Sequence, residues 1–189
     1  FRVNITLDKC SKNLLASLTV IGIYLDINKL SKNIFYDHKT FKGRGDISNI
    51  KINKKRIYLI DESYNSNPLS VKSAIENFHK LKVKSSKKYL ILGEMLELGN
   101  HSKKLHLALS KIINKTSIDC VSVIGKHIIE TYKDISKSKK GLILKHNSQI
   151  IDLIKNNIDN NDYIMIKGSN STGLHKVVNA LKTGNINAL

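Results

Sequence analysis

The chain has 189 residues, 41% of them hydrophobic, and a formal net charge of +17. That is enough apolar material for one domain and part of another, but the longest mostly apolar run, residues 14–25, falls short of the roughly 20 residues of a membrane-spanning helix. Cys10 and Cys120 make neither a disulfide framework nor a zinc-ligand spacing, which fits a reducing cytoplasm.

The charge admits two readings. A basic α/β module that binds nucleic acid is one. Against it, only Arg2, Arg44 and Arg56 are arginines, and base-reading proteins lean on arginine for bidentate contacts. The lysines are scattered among Ile and Asn, so the charge is read as solvated surface that also helps attract anionic substrates. No nucleic-acid partner, no membrane partner and a monomer are the expectations. No signal-peptide pattern is visible. The first residue is Phe1, and the chain is expected to be cut from a longer protein.

Residues 1–7 alternate loosely, as at a strand end. Leu14, Leu15, Leu18, Ile21 and Leu25 recur near helical spacing and predict a helix over 13–24. A second short helix is predicted over 27–34, then a connector. In Gly43-Arg44-Gly45, two glycines flank a guanidinium shaped to fork onto a phosphate; a surface arginine in a turn is the plain alternative. A boundary is predicted here, giving segments 1–45 and 46–189.

A short strand is predicted over 47–53. Residues 56–60 read as a buried strand that Asp61 and Glu62 end, and carboxylates, hydroxyls, a phenol and amides crowd the loop to Pro68. Asn67 can cap the next helix and Pro68 can occupy its first position. Such loops lie just past the carboxyl ends of strands, where open α/β sheets bind ligands. Val71, Ala74, Ile75 and Phe78 then form one apolar helix face. His79 is expected to be exposed.

Residues 89–92 predict a second buried strand. Its loop, GEMLELG, places Glu94 and Glu97 near the carboxyl edge of the sheet. The helix after it, 102–114, carries His106, read with His101 as part of a solvated face. Further strands are predicted at 120–124, 142–144 and 163–166, and helices at 126–135, 148–157 and 174–182. The last strand meets Lys167-Gly168-Ser169, and 168–173 offers backbone N–H groups and hydroxyls at a helix start, which suits a carboxylate or phosphate. Repeated strand-then-helix order demands parallel strands joined by right-handed crossovers. The five units from 56 to 182 make one Rossmann-like α/β domain. No G-x-G-x-x-G follows the first strand, so no dinucleotide site is inferred.

Four stretches share a resemblance, in order and at suitable spacing. DESYNSNP resembles the DDSYNANP or DESYNANP signature of the Mur ligases. Gly43-Arg44-Gly45 resembles the family's GRG at the junction of central and C-terminal domains. LGEMLELG, residues 92–99, is similar to LGDMLELG, and KGSNSTGLHKVV, residues 167–178, is similar to the family's KGS segment. Together they span nearly the whole chain.

The resemblance implies a C-terminal Mur ligase domain with a mostly parallel sheet, preceded by the closing helices of the central ATPase domain. It implies an ATP-dependent amide ligase that adds D-alanyl-D-alanine to UDP-N-acetylmuramoyl-tripeptide through an acyl phosphate. ATP and Mg²⁺ would be held mainly by the central domain, because no G-x-x-x-x-G-K-[ST] loop occurs here, and this chain alone is expected to be inactive. Arg44 would stabilise the transferred phosphate as a catalytic residue. Asn13 matches the asparagine of a His-x-x-x-Asn motif that contacts adenine, although Lys9 stands where the histidine would be; a helix cap is the alternative for Asn13. Glu62 falls on the nucleotide side. Tyr64, Asn65, Asn67 and Pro68 match the loop shaping the amine pocket, Glu94 replaces a commoner aspartate in the loop facing the reaction centre, and Lys167 and Ser169 would take the dipeptide carboxylate.

Overall fold

The computed structural model describes residues 11–36 and 42–185. The chain divides into two compact units, 1–41 and 42–189. In the first, helix α1 (Ser11–Tyr24) forms as its apolar spacing predicts. The second helix expected over 27–34 is a single 3-10 turn, Ile27–Lys29. The Asp26 carboxylate accepts from the Asn28 N–H and starts that turn, but Leu30 is already extended, so nothing propagates it.

The second unit is built on a six-stranded sheet. Strand β1 (Asp46–Ile52) and strand β2 (Lys55–Glu62) form an antiparallel hairpin. Its two turn residues, Asn53 and Lys54, have φ of 49° and 67°, the left-handed pair that lets a two-residue turn match strand twist. The remaining strands are β3 (Lys88–Gly93), β4 (Cys120–Ile124), β5 (Lys140–Leu144) and β6 (Tyr163–Lys167). Their order is β1-β2-β6-β3-β4-β5, and every pairing except β1 with β2 is parallel.

Helices α2 (Pro68–Lys80), α3 (Ser102–Asn114) and α4 (Ile129–Asp134) follow β2, β3 and β4, while α5 (Ser148–Asn157) and α6 (Leu174–Thr183) flank β6. Side chains alternate across the strands, so the two faces have separate cores. Ile57, Leu59, Ile91, Ile164 and Ile166 pack with Ile150, Ile154, Val177 and Val178 of α5 and α6. Ile60, Leu90, Leu92, Val121 and Met165 pack with Val71, Ile75, Phe78, Leu109 and Ile113 of α2 and α3.

Helix α4 begins later than the expected residue 126. Gly125 has φ +123°, and the Glu94 carboxylate accepts the His127 N–H, so residues 125–128 are spent on a turn. Helix α2 starts where Asn67-Pro68 predicts. The Asn67 side chain accepts from Ser70 N (2.8 Å) and Ser70 Oγ accepts from Asn67 N (3.0 Å), a reciprocal capping box. Asn67→Ala is expected to cost about 1 kcal/mol, read as a lower urea midpoint at unchanged m-value, and Asn67→Ser is expected to keep most of it. No described helix is long and apolar enough to cross a membrane.

Candidate functional site

The sheet order positions the site. The chain leaves β2 and β3 for helices on one face but leaves β6, which lies between them, for α6 on the other. Loops diverging from neighbouring strand ends open a crevice at the carboxyl edge. The register brings the three ends level, because Lys167 pairs with Glu62 on one side and Leu92 on the other. Gly93 and Gly168 let these backbones close up, since a Cβ on either would fall 3.4 Å from the other's Cα and about 2.5 Å from Leu174 Cδ1.

Lys167 is the inner brace of the crevice. Its side chain is only 1% exposed, with Nζ 2.7 Å from the Asn65 carbonyl and 3.6 Å from Glu62 Oε2. Burial pulls the ammonium below the ordinary lysine range; Glu62 opposes that shift and the Arg44 charge adds to it. The ammonium thus ties the end of β6 to the loop after β2. Ser169 makes the second tie. Its N–H donates to the Glu94 carbonyl (3.3 Å), and its hydroxyl accepts from Leu96 N (3.1 Å) and lies 3.4 Å from the Ser66 carbonyl. Together these bonds connect all three loops. Between them lies a cleft of about 210 Å³ whose walls include Tyr64, Asn65, Leu96, Glu97, Ser169 and Asn170.

Arg44 sits beside the crevice on a tight turn. Gly43 and Gly45 have φ of 80° and 92° and are buried, while Arg44 is exposed. A Cβ at Gly43 would meet Tyr64 Cβ at 2.8 Å, so the turn requires glycine in both shape and space. The Arg44 guanidinium lies over the Tyr64 ring, 4.9 Å from its centroid. Gly45 N donates to the Asp61 carbonyl (2.7 Å), Tyr64 N to the Gly43 carbonyl (3.3 Å) and Gly43 N to Asp46 Oδ1 (2.9 Å). Lys182, from the last turn of α6, closes the arrangement with Nζ 2.5 Å from Asp46 Oδ2 and 2.7 Å from Asp61 Oδ2. The other Asp61 oxygen accepts from Ser63 N and Oγ.

The structure therefore brings Arg44, Glu62, Tyr64, Asn65, Lys167 and Ser169 to one edge. The Asn67 side chain caps α2, with Pro68 as the helix's first residue. The Glu94 carboxylate is turned onto the His127 N–H, and it is the Glu94 carbonyl that meets Ser169. Asn13 is an exposed residue of α1 whose carbonyl accepts from Ser17 Oγ, and Lys9 lies outside the described residues. The solvated face expected at His106 is corrected. That side chain is fully buried, since it lies on the α3 face turned toward the loop after β3. Lys182 was not foreseen either, because nothing local distinguishes it from the other lysines.

Among the described residues, no group of three or more His, Cys, Asp or Glu side chains could hold a metal ion. A larger cavity, about 520 Å³, opens at the amino ends of β3, β4 and β5, with Tyr89, Cys120, Ser122, Lys140 and Leu142 on its walls. Burial raises the Cys120 thiol pKa, which disfavours the reactive thiolate. The crevice with converging charged and hydroxyl groups is at the other end of the sheet.

Residues 48–170 match the family model described as "Mur ligase, glutamate ligase domain", and the chain belongs to the Mur ligase family. Among curated relatives, the UDP-N-acetylmuramoyl-tripeptide–D-alanyl-D-alanine ligase of Rickettsia prowazekii is 31% identical, over 83% of this chain and 35% of that protein. The ligase of the same name from Bacillus subtilis is 32% identical, over 65% of this chain and 27% of that protein. The chain thus spans about a third of their length. In fold it is similar to MurF ligase from Thermotoga maritima in complex with ADP, with TM-score 0.66 and 23% identity over 89% of this chain and 36% of the other. MurF from Acinetobacter baumannii gives TM-score 0.67 and 20% identity over 89% and 35%.

Proposed function

We propose that this chain is the amine-side part of an ATP-dependent ligase that joins D-alanyl-D-alanine to UDP-N-acetylmuramoyl-tripeptide in peptidoglycan precursor synthesis. On this reading, 46–189 is the C-terminal domain and 1–45 the end of a nucleotide-binding domain. The observation that carries it is the crevice where the loops after β2, β3 and β6 meet beside Arg44, in a chain whose relatives bear that ligase name.

A carboxylate resists attack by an amine because it is negatively charged and lacks a good leaving group. Transfer of the ATP γ-phosphoryl group turns it into an acyl phosphate and releases ADP. The amine then attacks the carbonyl carbon, phosphate departs with the C–O electron pair, and the nitrogen loses a proton. This needs stabilised phosphate charge and a nearby, oriented amine. In this chain Arg44 is the exposed cation suited to the first task. The cleft between Tyr64, Leu96 and Ser169 is suited to the second, with its hydroxyls and amides taking the dipeptide's polar ends. Lys167, sequestered under Asn65, holds that wall in place.

The test is calorimetric titration of the chain with D-alanyl-D-alanine, paired with a product assay. Saturable one-site binding that weakens about tenfold in Ser169→Ala is expected, with no amide product from the chain, ATP and both substrates alone. Absence of dipeptide binding would overturn the reading of the cleft, and product formation would overturn the assignment of phosphoryl transfer to another part of the enzyme.

A further inference from the structure

His106 is the one fully buried histidine among the described residues, and its partners dictate its proton. Nδ1 lies 2.8 Å from the Ser102 carbonyl, an acceptor only, so Nδ1 must donate. Nε2 lies 3.0 Å from the Met95 backbone N–H, a donor only, so Nε2 must accept. The ring is therefore neutral, with its proton on Nδ1. Its backbone is anchored as well, since the His106 carbonyl accepts from the buried Thr131 hydroxyl at 2.6 Å, fixing α3 against α4.

Met95 is the midpoint of the loop that walls the cleft. Its side chain is 2% exposed and belongs to the core. The residue before it supplies the carbonyl that receives Ser169 N, and the residue after it supplies the N–H that donates to the Ser169 hydroxyl. Leu96 and Glu97, with Ser169, line the cleft. One imidazole nitrogen thus holds the amide on which the placement of three cleft residues depends.

We propose that His106 is a positioning residue for the amine-substrate cleft, acting through the Met95 amide to set Leu96, Glu97 and Ser169. The cleft's ligand rests on the proposed function; the positioning does not. A proton added to Nε2 would point an N–H at the Met95 N–H and remove the acceptor, so acid releases the loop. The charged or titratable groups facing the ring are the Glu94 carboxylate, which favours the proton, and His127, whose ring centroid is 6.1 Å away and which disfavours it. Farther along the same helix contact, Asp134 of α4 is occupied by Ser110 Oγ. Burial is the largest influence and holds His106 below the ordinary histidine range, so the loop is held at neutral pH. The unfolded chain then binds the proton more readily, and this group's contribution to stability is lost as pH falls from about 6.5 toward the depressed folded pKa.

Two variants separate the ring's nitrogens. Glutamine extends far enough to place an oxygen near the Nε2 position, whereas asparagine reaches only the Nδ1 position and offers Met95 nothing. His106→Asn is expected to speed hydrogen exchange at the Met95 amide and to weaken D-alanyl-D-alanine binding, each at least about tenfold, with His106→Gln restoring both to within about threefold. Asparagine at parental values, or a loss of binding in both variants with Met95 still protected, overturns the proposal. The unmodified chain supplies an arm that needs no variant. In an NMR titration from about pH 7.5 to 4.5, the Met95, Leu96 and Ser169 amides are expected to move with the His106 ring at one shared midpoint. A ring that titrates without them overturns the proposal. If the dipeptide does not bind the parent chain, the proposed function fails alone, and the exchange and titration results still decide the role of His106.

Discussion

Lys182→Met is expected to cost about 2–3 kcal/mol of folding stability. Removing one partner of a fully buried ion pair costs roughly 3–5 kcal/mol because the other charge is stranded. Here the lysine side chain is 21% exposed and the Asp61 side chain 5%, so solvent recovers part of the loss. Methionine keeps most of the aliphatic length, which isolates the charge. What remains is two carboxylates facing one emptied position. Asp61 cannot turn away without dropping Ser63, and Asp46 cannot without dropping the Gly43 N–H. Equilibrium urea unfolding of the chain reads the loss directly. A Lys182→Met and Asp46→Asn double-mutant cycle should return a coupling of about 1–2 kcal/mol. A change in stability within about 0.5 kcal/mol, the range of ordinary surface substitutions, would show that the cluster is not a clamp.

The two lysines of the site respond to alkali in opposite ways. Burial alone lowers the Lys182 pKa, but its hydrogen bonds to Asp46 and Asp61 and their charges together outweigh it and leave the pKa above the ordinary 10.5. Its contribution is complete below the unfolded value and is lost as pH rises through the folded one. Lys167 is shifted downward. Between its folded pKa and the unfolded 10.5, only the unfolded chain holds the proton, so this group makes stability rise with pH. Lys182 belongs to a solvent-edged clamp and Lys167 to the buried interior, although both are lysines beside carboxylates.

Local patterns in the sequence were enough to locate most elements. Strand β2 ended where apolar residues met Asp61 and Glu62, and Asn67-Pro68 marked the start of α2. The DESYNSNP, GRG and KGS stretches pointed to loops that do share one edge. Other features depended on contacts remote in sequence. His106 lies among lysines on α3, and it is buried because the loop after β3 folds back over it. Glu94 heads a polar loop, yet its carboxylate is drawn aside by an N–H some thirty residues on, beside a glycine at φ +123°. The clamp joins Lys182 to Asp46, 136 positions apart, a distance over which no periodicity speaks. The failed helix after α1 is different: a local Asp26 cap starts it, and it yields only one turn.

The largest expected effect on chemistry is at Arg44. In a full-length ligase carrying this chain as its C-terminal part, Arg44→Ala is expected to lower kcat by roughly 10²–10³, the usual cost of deleting a donor that stabilises transition-state charge. The geometry explains why folding should barely change. The turn is held by backbone bonds of Gly43 and Gly45 and by the Asp46 clamp, none of which uses the arginine side chain. The guanidinium lies over the face of Tyr64, a contact worth about 0.5–1 kcal/mol at an exposed site. The KM for the dipeptide should change little, because the cleft walls are left intact. Arg44→Lys restores charge without the planar fork, and should recover part of the rate but not all of it. Steady-state kinetics and urea unfolding on the same preparations decide the matter. If stability and turnover fall together in Arg44→Ala, the side chain is holding the turn; if kcat is unchanged, phosphate charge is neutralised elsewhere.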